Sequence, residues 1–446
     1  MASSAWRTLG LAVAALCVAG AARAQDVPAQ PPAPVPAATP ISTREAAVLL
    51  MQAHKLPEAR RVLLALERAD PRDNEVQFML GMIAMEEKAY PEAIRRFRRI
   101  LAHDPGAVRV RLELGRAFYL ARDYDNAERQ FRLARAGKLP PAALANVDKY
   151  LFTIRRERRF SSNLSFALAP DTNLNAGPSL SAVDIFGLPF QLSSDARQRS
   201  GIGIALGAGG EWLPPISGPL RFRIGAQFDG VQYPAAGAFD DLSLSAYAGP
   251  RLVYQRWDVS VLATGFERWY GRSFYNSGAG GAVQATYYAT PRLGLTGSIG
   301  AQQVTYRPPV GQNGPAVSSS AGAFYTLSSA STVSGGVSVS RQDAAQSVYS
   351  YTAAQVQVGY FRDLPGGISA SIQPSIAHID YDSAQAGFGV PRRDRQWQVR
   401  IGLLDRRIDI AGFTPRLTYT HTDNASDIGL YRYRRDQGQI GFTRSF

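Results

Sequence analysis

Four histidines, His54, His103, His378 and His421, and one cysteine, Cys17, are the side chains of this 446-residue sequence best suited to metal binding or nucleophilic chemistry. No two histidines stand four apart, the spacing that places two imidazoles on one helical face, and no second cysteine accompanies Cys17. His54 and His103 read as surface residues of helices. There is no Gly-x-Ser-x-Gly nucleophile elbow and no phosphate-binding loop. The run Gly201-Ile202-Gly203-Ile204-Ala205-Leu206-Gly207 spells a dinucleotide fingerprint, but it alternates like a strand and opens no helix. Asp171 and Asp184 could form the carboxylate pair of a hydrolase. Nothing in the sequence holds them together, so they read as solvated loop acids. The sequence predicts no catalytic centre, no metal and no cofactor.

The elements that would position any binding residues are of two kinds. Ala59, Ala93 and Ala127 are spaced by 34 residues, as are Leu63, Phe97 and Phe131, and Pro71 and Pro105. Ala47, Gly81 and Gly115 keep the same step twelve residues before the alanines. This is the tetratricopeptide (TPR) period. Small residues let the two helices of a repeat approach, an aromatic or leucine packs on the next unit, and proline ends the second helix. A helix opened by Pro140-Pro141, with Leu144, Val147, Leu151 and Ile154 at helical spacing, would cap the array. Its tail, Arg155 to Arg159, reads as a solvated helix end aided by the helix dipole, the alternative being contact with anionic groups at the rim of a barrel. Groove candidates on the first helices are Phe78, Met82, Met85, Arg109, Leu112, Arg116 and Tyr119, positions that could equally belong to the core.

From residue 160 the texture changes to alternation, as in Leu242-Ser243-Leu244-Ser245-Ala246-Tyr247. One face is apolar and the other small or polar, the pattern of lipid-out, lumen-in strands. Strands are expected near 160–169, 197–212, 219–232, 240–256, 257–268, 275–289, 292–306, 316–328, 331–342, 348–362, 367–382, 393–406, 408–422 and 431–446. Fourteen is even, so both ends of the barrel fall on one side. Tight turns at 213–218, 290–291, 329–330 and 363–366 would face the periplasm, and longer loops at 170–196, 307–315, 383–392 and 423–430 would face outward. Trp212, Tyr233, Trp257, Trp269, Tyr270, Tyr287, Tyr288, Tyr306, Tyr360, Phe361, Tyr381 and Tyr431 read as interfacial girdles. Ile440, Phe442 and Phe446 share a face of the last strand, as a barrel-assembly terminus requires, although Arg444 stands where an apolar residue is usual.

The remaining expectations concern the address. Arg7, the apolar run from Leu9 to Ala22 and Ala22-Arg23-Ala24 read as a signal peptide over residues 1–24, followed by a Pro/Ala-rich linker at 25–40, a TPR domain at 41–159 and the barrel at 160–446. A mature chain without cysteine suits a bacterial envelope. The charge of +13 is concentrated in the helical region: residues 42–160 hold 24 Lys/Arg and 16 Asp/Glu, a net of +8. Such a surface would steer an acidic protein rather than nucleic acid, which exported proteins rarely meet.

The sequence at the start of the barrel, Ala169-Pro170-Asp171-Thr172-Asn173-Leu174-Asn175, together with the short TPR array and the fourteen strands, resembles the surface lipoprotein assembly modulator (Slam) family, the type XI secretion translocons. The resemblance implies an outer-membrane translocon, not an enzyme, that moves surface lipoproteins or soluble haem- and metal-scavenging proteins from periplasm to cell surface. Its implied partners are the client, outer-membrane lipid, the barrel-assembly machinery and a periplasmic chaperone. Pro170, Asp171, Asn173 and Asn175 are candidates for a first-strand gate or loop structure, though Asx-turn chemistry also explains them. The competing readings are a TPR-barrel exopolysaccharide exporter and, more distantly, a barrel hydrolase.

Overall fold

The computed structural model describes residues 43–194, 196–308 and 311–445. The expected signal peptide with Cys17, the linker, and Phe446 lie outside the described residues.

Seven helices come first: α1 (Thr43–Gln52), α2 (Leu56–Ala69), α3 (Asn74–Glu86), α4 (Tyr90–His103), α5 (Val108–Leu120), α6 (Tyr124–Arg135) and α7 (Pro141–Glu157). The first six pair as three repeats and α7 follows as a cap. The 34-residue spacing acts through close packing. A Cβ on Gly81 would stand 2.6 Å from the Phe97 ring, and one on Gly115 would stand 2.9 Å from Phe131. Ala47, Ala59, Leu63, Ala93, Phe97, Ala127 and Phe131 are all buried. Val147, Leu151 and Ile154 of α7 join the core of the last two repeats, closing an array that would otherwise expose an apolar face.

The second part is a closed antiparallel barrel of fourteen strands: β1 (Phe160–Asp171), β2 (Gly201–Trp212), β3 (Leu220–Gln232), β4 (Asp241–Tyr254), β5 (Trp257–Tyr270), β6 (Ser273–Tyr288), β7 (Leu293–Tyr306), β8 (Gly314–Ser328), β9 (Ser331–Gln342), β10 (Tyr351–Leu364), β11 (Ile368–Ala384), β12 (Pro391–Asp405), β13 (Thr414–Ser426) and β14 (Tyr433–Ser445). Each strand pairs with its neighbours in sequence, and β1 closes the ring against β14. Alternation sets the two faces. Ile202, Ile204 and Leu206 of β2, Val337 and Val339 of β9, and Val356 and Val358 of β10 are exposed on the outside, as lipid requires. The intervening residues, such as Ser334, Gly336, Ser338, Gln355 and Gln357, line the lumen, so this part of the lumen wall is small and polar.

The helical domain lies against the same side as the short turns, and the longer connections are on the far side. Three local expectations need correction. Residues 408–413 are not strand: Ala411 and Gly412 take positive φ (53° and 86°) and Asp409 Oδ1 accepts the Gly412 amide at 2.7 Å, making a turn between β12 and β13. The far-side link between β5 and β6 is tight, turning on Gly271 and Arg272 at positive φ. The first far-side loop carries its own hairpin, Ala182–Ile185 paired with Leu188–Gln191.

Candidate functional site

The place where the two domains meet is built from one element of the repeat. In the second repeat Arg96 Nη1 donates to Gln77 Oε1 at 3.0 Å, and Gln77 Nε2 donates to Glu67 Oε1 at 2.9 Å and to the Pro71 carbonyl at 3.4 Å. One period later Arg111 replaces Gln77 and Gln130 replaces Arg96: Arg111 Nη1 donates to Gln130 Oε1 at 2.9 Å, and its Nη2 donates to the Pro105 carbonyl at 2.8 Å. Leu101 stands where Glu67 stood, so the repeat has lost its acid. The barrel supplies one. Asp363, at the end of β10, accepts Arg111 at 2.9 Å, Arg129 at 2.8 Å and the Ser369 hydroxyl at 2.7 Å. Arg111 is 1% exposed. Burial lowers its pKa and Asp363 opposes that shift, the balance expected of a buried pair.

Further contacts run around the rim. The Arg292 guanidinium donates to the Ala136 carbonyl at 2.6 Å, Arg132 donates to Tyr288 Oη at 2.8 Å, and Ser329 Oγ donates to the Gly106 carbonyl at 3.2 Å. The Gly366 amide donates to the Ala102 carbonyl at 2.6 Å, and Arg98 pairs with Asp409 at 3.0 Å. Leu213 N–H donates to the Arg159 carbonyl at 2.7 Å, and Arg158 pairs with Asp125 and, at 3.5 Å, with Glu211. The helical domain therefore touches five of the six near-side turns among the described residues and lies across that mouth. The arginine run 155–159 meets the rim through Arg158, which faces Glu211, and through the Arg156 and Arg159 carbonyls, which accept from Arg221 and Leu213. The Arg156 and Arg159 side chains stay exposed, as at a solvated helix end. Several expected girdle aromatics also point inward. The Tyr288 and Phe361 rings lie under Arg155 and Arg129, at 4.6 and 4.8 Å, and Tyr233 is buried. Trp212 and Trp257 are exposed on the outer face. Neighbouring strand residues face opposite sides, so one member of each aromatic pair must leave the girdle.

At the opposite end, the sequence Pro170 to Asn175 stitches the closing seam. Asp171 is buried and receives Arg435 Nε at 3.0 Å, Arg435 Nη2 at 2.6 Å and Gln437 Nε2 at 3.1 Å. It is no solvated loop acid. Its partner lies 264 residues away and is brought near only by closure. Asp184 is exposed on the loop hairpin and takes no part. Asn173, fully buried, donates to the carbonyls of Gly177 and Arg434, both at 2.9 Å, and accepts the Gly177 amide. Asn175 Nδ2 donates to the Arg197 carbonyl at 2.8 Å. Pro170, without an N–H, lies against Gly438 where the ladder is interrupted. Below it Leu168 pairs with Ile440 and Phe166 with Phe442, whose rings stack at 5.5 Å. Arg444 leaves the apolar pattern by lying over the Phe413 ring and donating to the Ala411 carbonyl at 2.6 Å.

The groove candidates divide by burial. Phe78, Met82 and Leu112 are half-buried, Met85 lies in the core, and Arg109 is exposed with its guanidinium 4.9 Å from the Phe78 ring centre. Arg116 pairs with Glu113 at 2.8 Å. Tyr119 donates to Glu157 of α7 at 3.0 Å, and desolvation with that carboxylate pushes its phenol up to about 12. Among the described residues no group of three or more His, Cys, Asp or Glu is placed to hold a metal ion. His421 meets Asp436 at 2.7 Å, but no hydroxyl among the described residues bonds to its ring.

A family model described as surface lipoprotein assembly modifier matches residues 160–446, and the model of that family's N-terminal TPR repeats matches residues 46–131. The chain belongs to the surface lipoprotein assembly modifier family. Surface lipoprotein assembly modifier 1 of Neisseria meningitidis serogroup B is 23% identical over 394 residues, covering 86% of this chain and 79% of that protein. Surface lipoprotein assembly modifier of Pasteurella multocida is 21% identical over 461 residues, covering 95% and 90%. Among solved structures, a Pseudomonas aeruginosa FadL homologue aligns over 64% of this chain and 89% of its own, at 9% identity and a TM-score of 0.40. As a modifier-family barrel with an apolar outer wall, the protein resides in the outer membrane with its TPR domain in the periplasm.

Proposed function

We propose that the protein carries client proteins, surface lipoproteins or soluble haem- and metal-scavenging proteins, from the periplasm to the cell surface. The observation that supports this reading best is the TPR array lying across the periplasmic mouth of a barrel whose lumen wall carries small and polar side chains on β9 and β10. A client engaging the array is thereby delivered to the pore. Phe78, Met82, Leu112 and the exposed Arg109 offer a mixed apolar and cationic surface for an extended or acidic segment of a client or of a periplasmic chaperone. Residues 1–24 act as the export signal, 25–40 as a tether, 41–159 as the receiving domain and 160–446 as the conduit. Ile440, Phe442 and Phe446 serve recognition by the barrel-assembly machinery. The β1–β14 seam, latched by Asp171 and Asn173, is the position at which the wall would part if a client left sideways. The test compares surface exposure of lipoproteins or secreted proteins encoded beside this gene in the wild type, in a gene deletion and in a chain lacking 43–157 with its barrel still inserted. Loss of exposure in both mutants is expected. Unchanged exposure with loss of exopolysaccharide would instead establish the polysaccharide-exporter reading.

A further inference from the structure

Between the helical domain and the barrel lies a cavity of about 450 Å³, bounded by α4, α5 and α6 on one side and by the turns after β10 and β12 on the other. Seven arginines and His103 border it, against the two carboxylates Asp363 and Asp409. Some of these charges are matched: Arg98 pairs with Asp409, Arg99 with Glu67, and Arg407 with Asp405. The innermost are not. Arg111 and Arg129 share the single carboxylate of Asp363. The Arg406 side chain donates its Nε–H to Ser369 Oγ at 2.7 Å and meets no carboxylate among the described residues. Arg129 Nη1 is buried with no hydrogen-bond partner. Three guanidiniums against one carboxylate leave a net charge of +2 in a partly enclosed place. Burial and the nearby Arg129 hold the Arg406 pKa well below its usual range. Uncompensated charge of this kind is costly unless a counter-anion enters.

The apolar part of the wall indicates which anion. Leu101, Leu114, Phe118, Leu364 and Ile368 line the cavity beside the arginines. On β10, Leu364 shares the outward register of Val356 and Val358, whereas Asp363 points to the lumen side. On β11, Ile368 shares the register of the exposed Ile372 and Ile376, whereas Ser369 points inward. The cavity therefore straddles the barrel wall at its periplasmic edge, with guanidiniums towards the lumen and apolar side chains towards lipid. Arginine forks match phosphate oxygens, and basic pockets at a membrane edge suit lipid headgroups. We propose that this cavity binds the phosphate of an anionic membrane lipid, with the headgroup on Arg129 and Arg406 and the acyl chain running out over Leu364 and Ile368.

The test uses the full-length protein in phosphatidylcholine nanodiscs with or without phosphatidylglycerol, with retained lipid read by native mass spectrometry and unfolding followed by heating. Phosphatidylglycerol should be retained in preference to phosphatidylcholine and should raise the unfolding temperature. R129Q/R406Q should weaken retention by about tenfold or more, while R61Q, which removes an exposed charge elsewhere in the array, should not. L364S keeps every arginine and should reduce lipid retention while leaving any stabilisation by inorganic phosphate intact. Equal retention of both lipids, or no effect of R129Q/R406Q, would overturn the proposal. Stabilisation by inorganic phosphate matching that by phosphatidylglycerol would overturn the lipid as source. Binding of polyglutamate without lipid preference would give the cavity to an acidic peptide instead.

Discussion

Asp171 shows how far a single residue can be misread when its partner is distant. Locally, Pro-Asp-Thr-Asn is turn chemistry in a loop, whereas in the closed barrel Asp171 is buried against Arg435. Removing one member of such a pair leaves a buried charge unmatched and costs about 3–5 kcal/mol. D171N and R435Q should each lower the temperature at which the folded barrel loses its heat-modifiable mobility on gels. The double variant should cost less than the sum of the two, and strict additivity would mean the pair is not coupled. Tyr119 gives a second prediction at this scale. Its phenol is raised from 10.0 to about 12 by desolvation and by Glu157, so the protonated form is favoured in the folded state. The contact between α5 and the cap helix is thus fully present below pH 10, and its contribution declines as pH climbs towards 12. Ultraviolet titration should show one fewer late-ionising tyrosine in Y119F than in the wild type.

At the scale of elements, the helices were the most legible part of the sequence. The Gly81–Phe97 and Gly115–Phe131 contacts recur with the period that revealed them, because close packing restricts residue type at both positions. G115V should overpack α5 against α6, costing about 1–3 kcal/mol, and should lower the helical melting transition followed by circular dichroism. An unchanged melt would show that the Phe131 ring can move aside. The strands were legible through alternation, yet their ends were less so. Alternation continues through Ile408 and Ile410, where positive φ at Ala411 and Gly412 decides for a turn. Some of the girdle aromatics, such as Tyr288 and Phe361, failed for a related reason: enrichment near strand ends does not say which side a ring faces. The groove residues were placed on their helices by the repeat, but Met85 is in the core, and heptad-like apolarity alone could not separate it from Met82.

For the whole molecule, the deciding contacts join residues from domains that each look complete in sequence. Arg111 with Asp363, Arg98 with Asp409 and Arg158 with Glu211 have no local signal, since each pairs a helix with a distant barrel residue. D363A should loosen the helical domain from the barrel mouth, and limited proteolysis in intact outer membranes should release a fragment ending near residue 159 faster than from the wild type. Equal release would show that the remaining rim contacts suffice. The aspartate that stands in for the missing repeat acid also bears on the order of assembly. The N-terminal helices emerge from the ribosome before any strand, and at that stage Arg111 has no carboxylate to meet. Its third repeat becomes electrostatically whole only when β10 and β11 have paired and presented Asp363 at the rim. The stability of the helical domain is thus coupled, through one buried ion pair, to completion of the barrel beneath it.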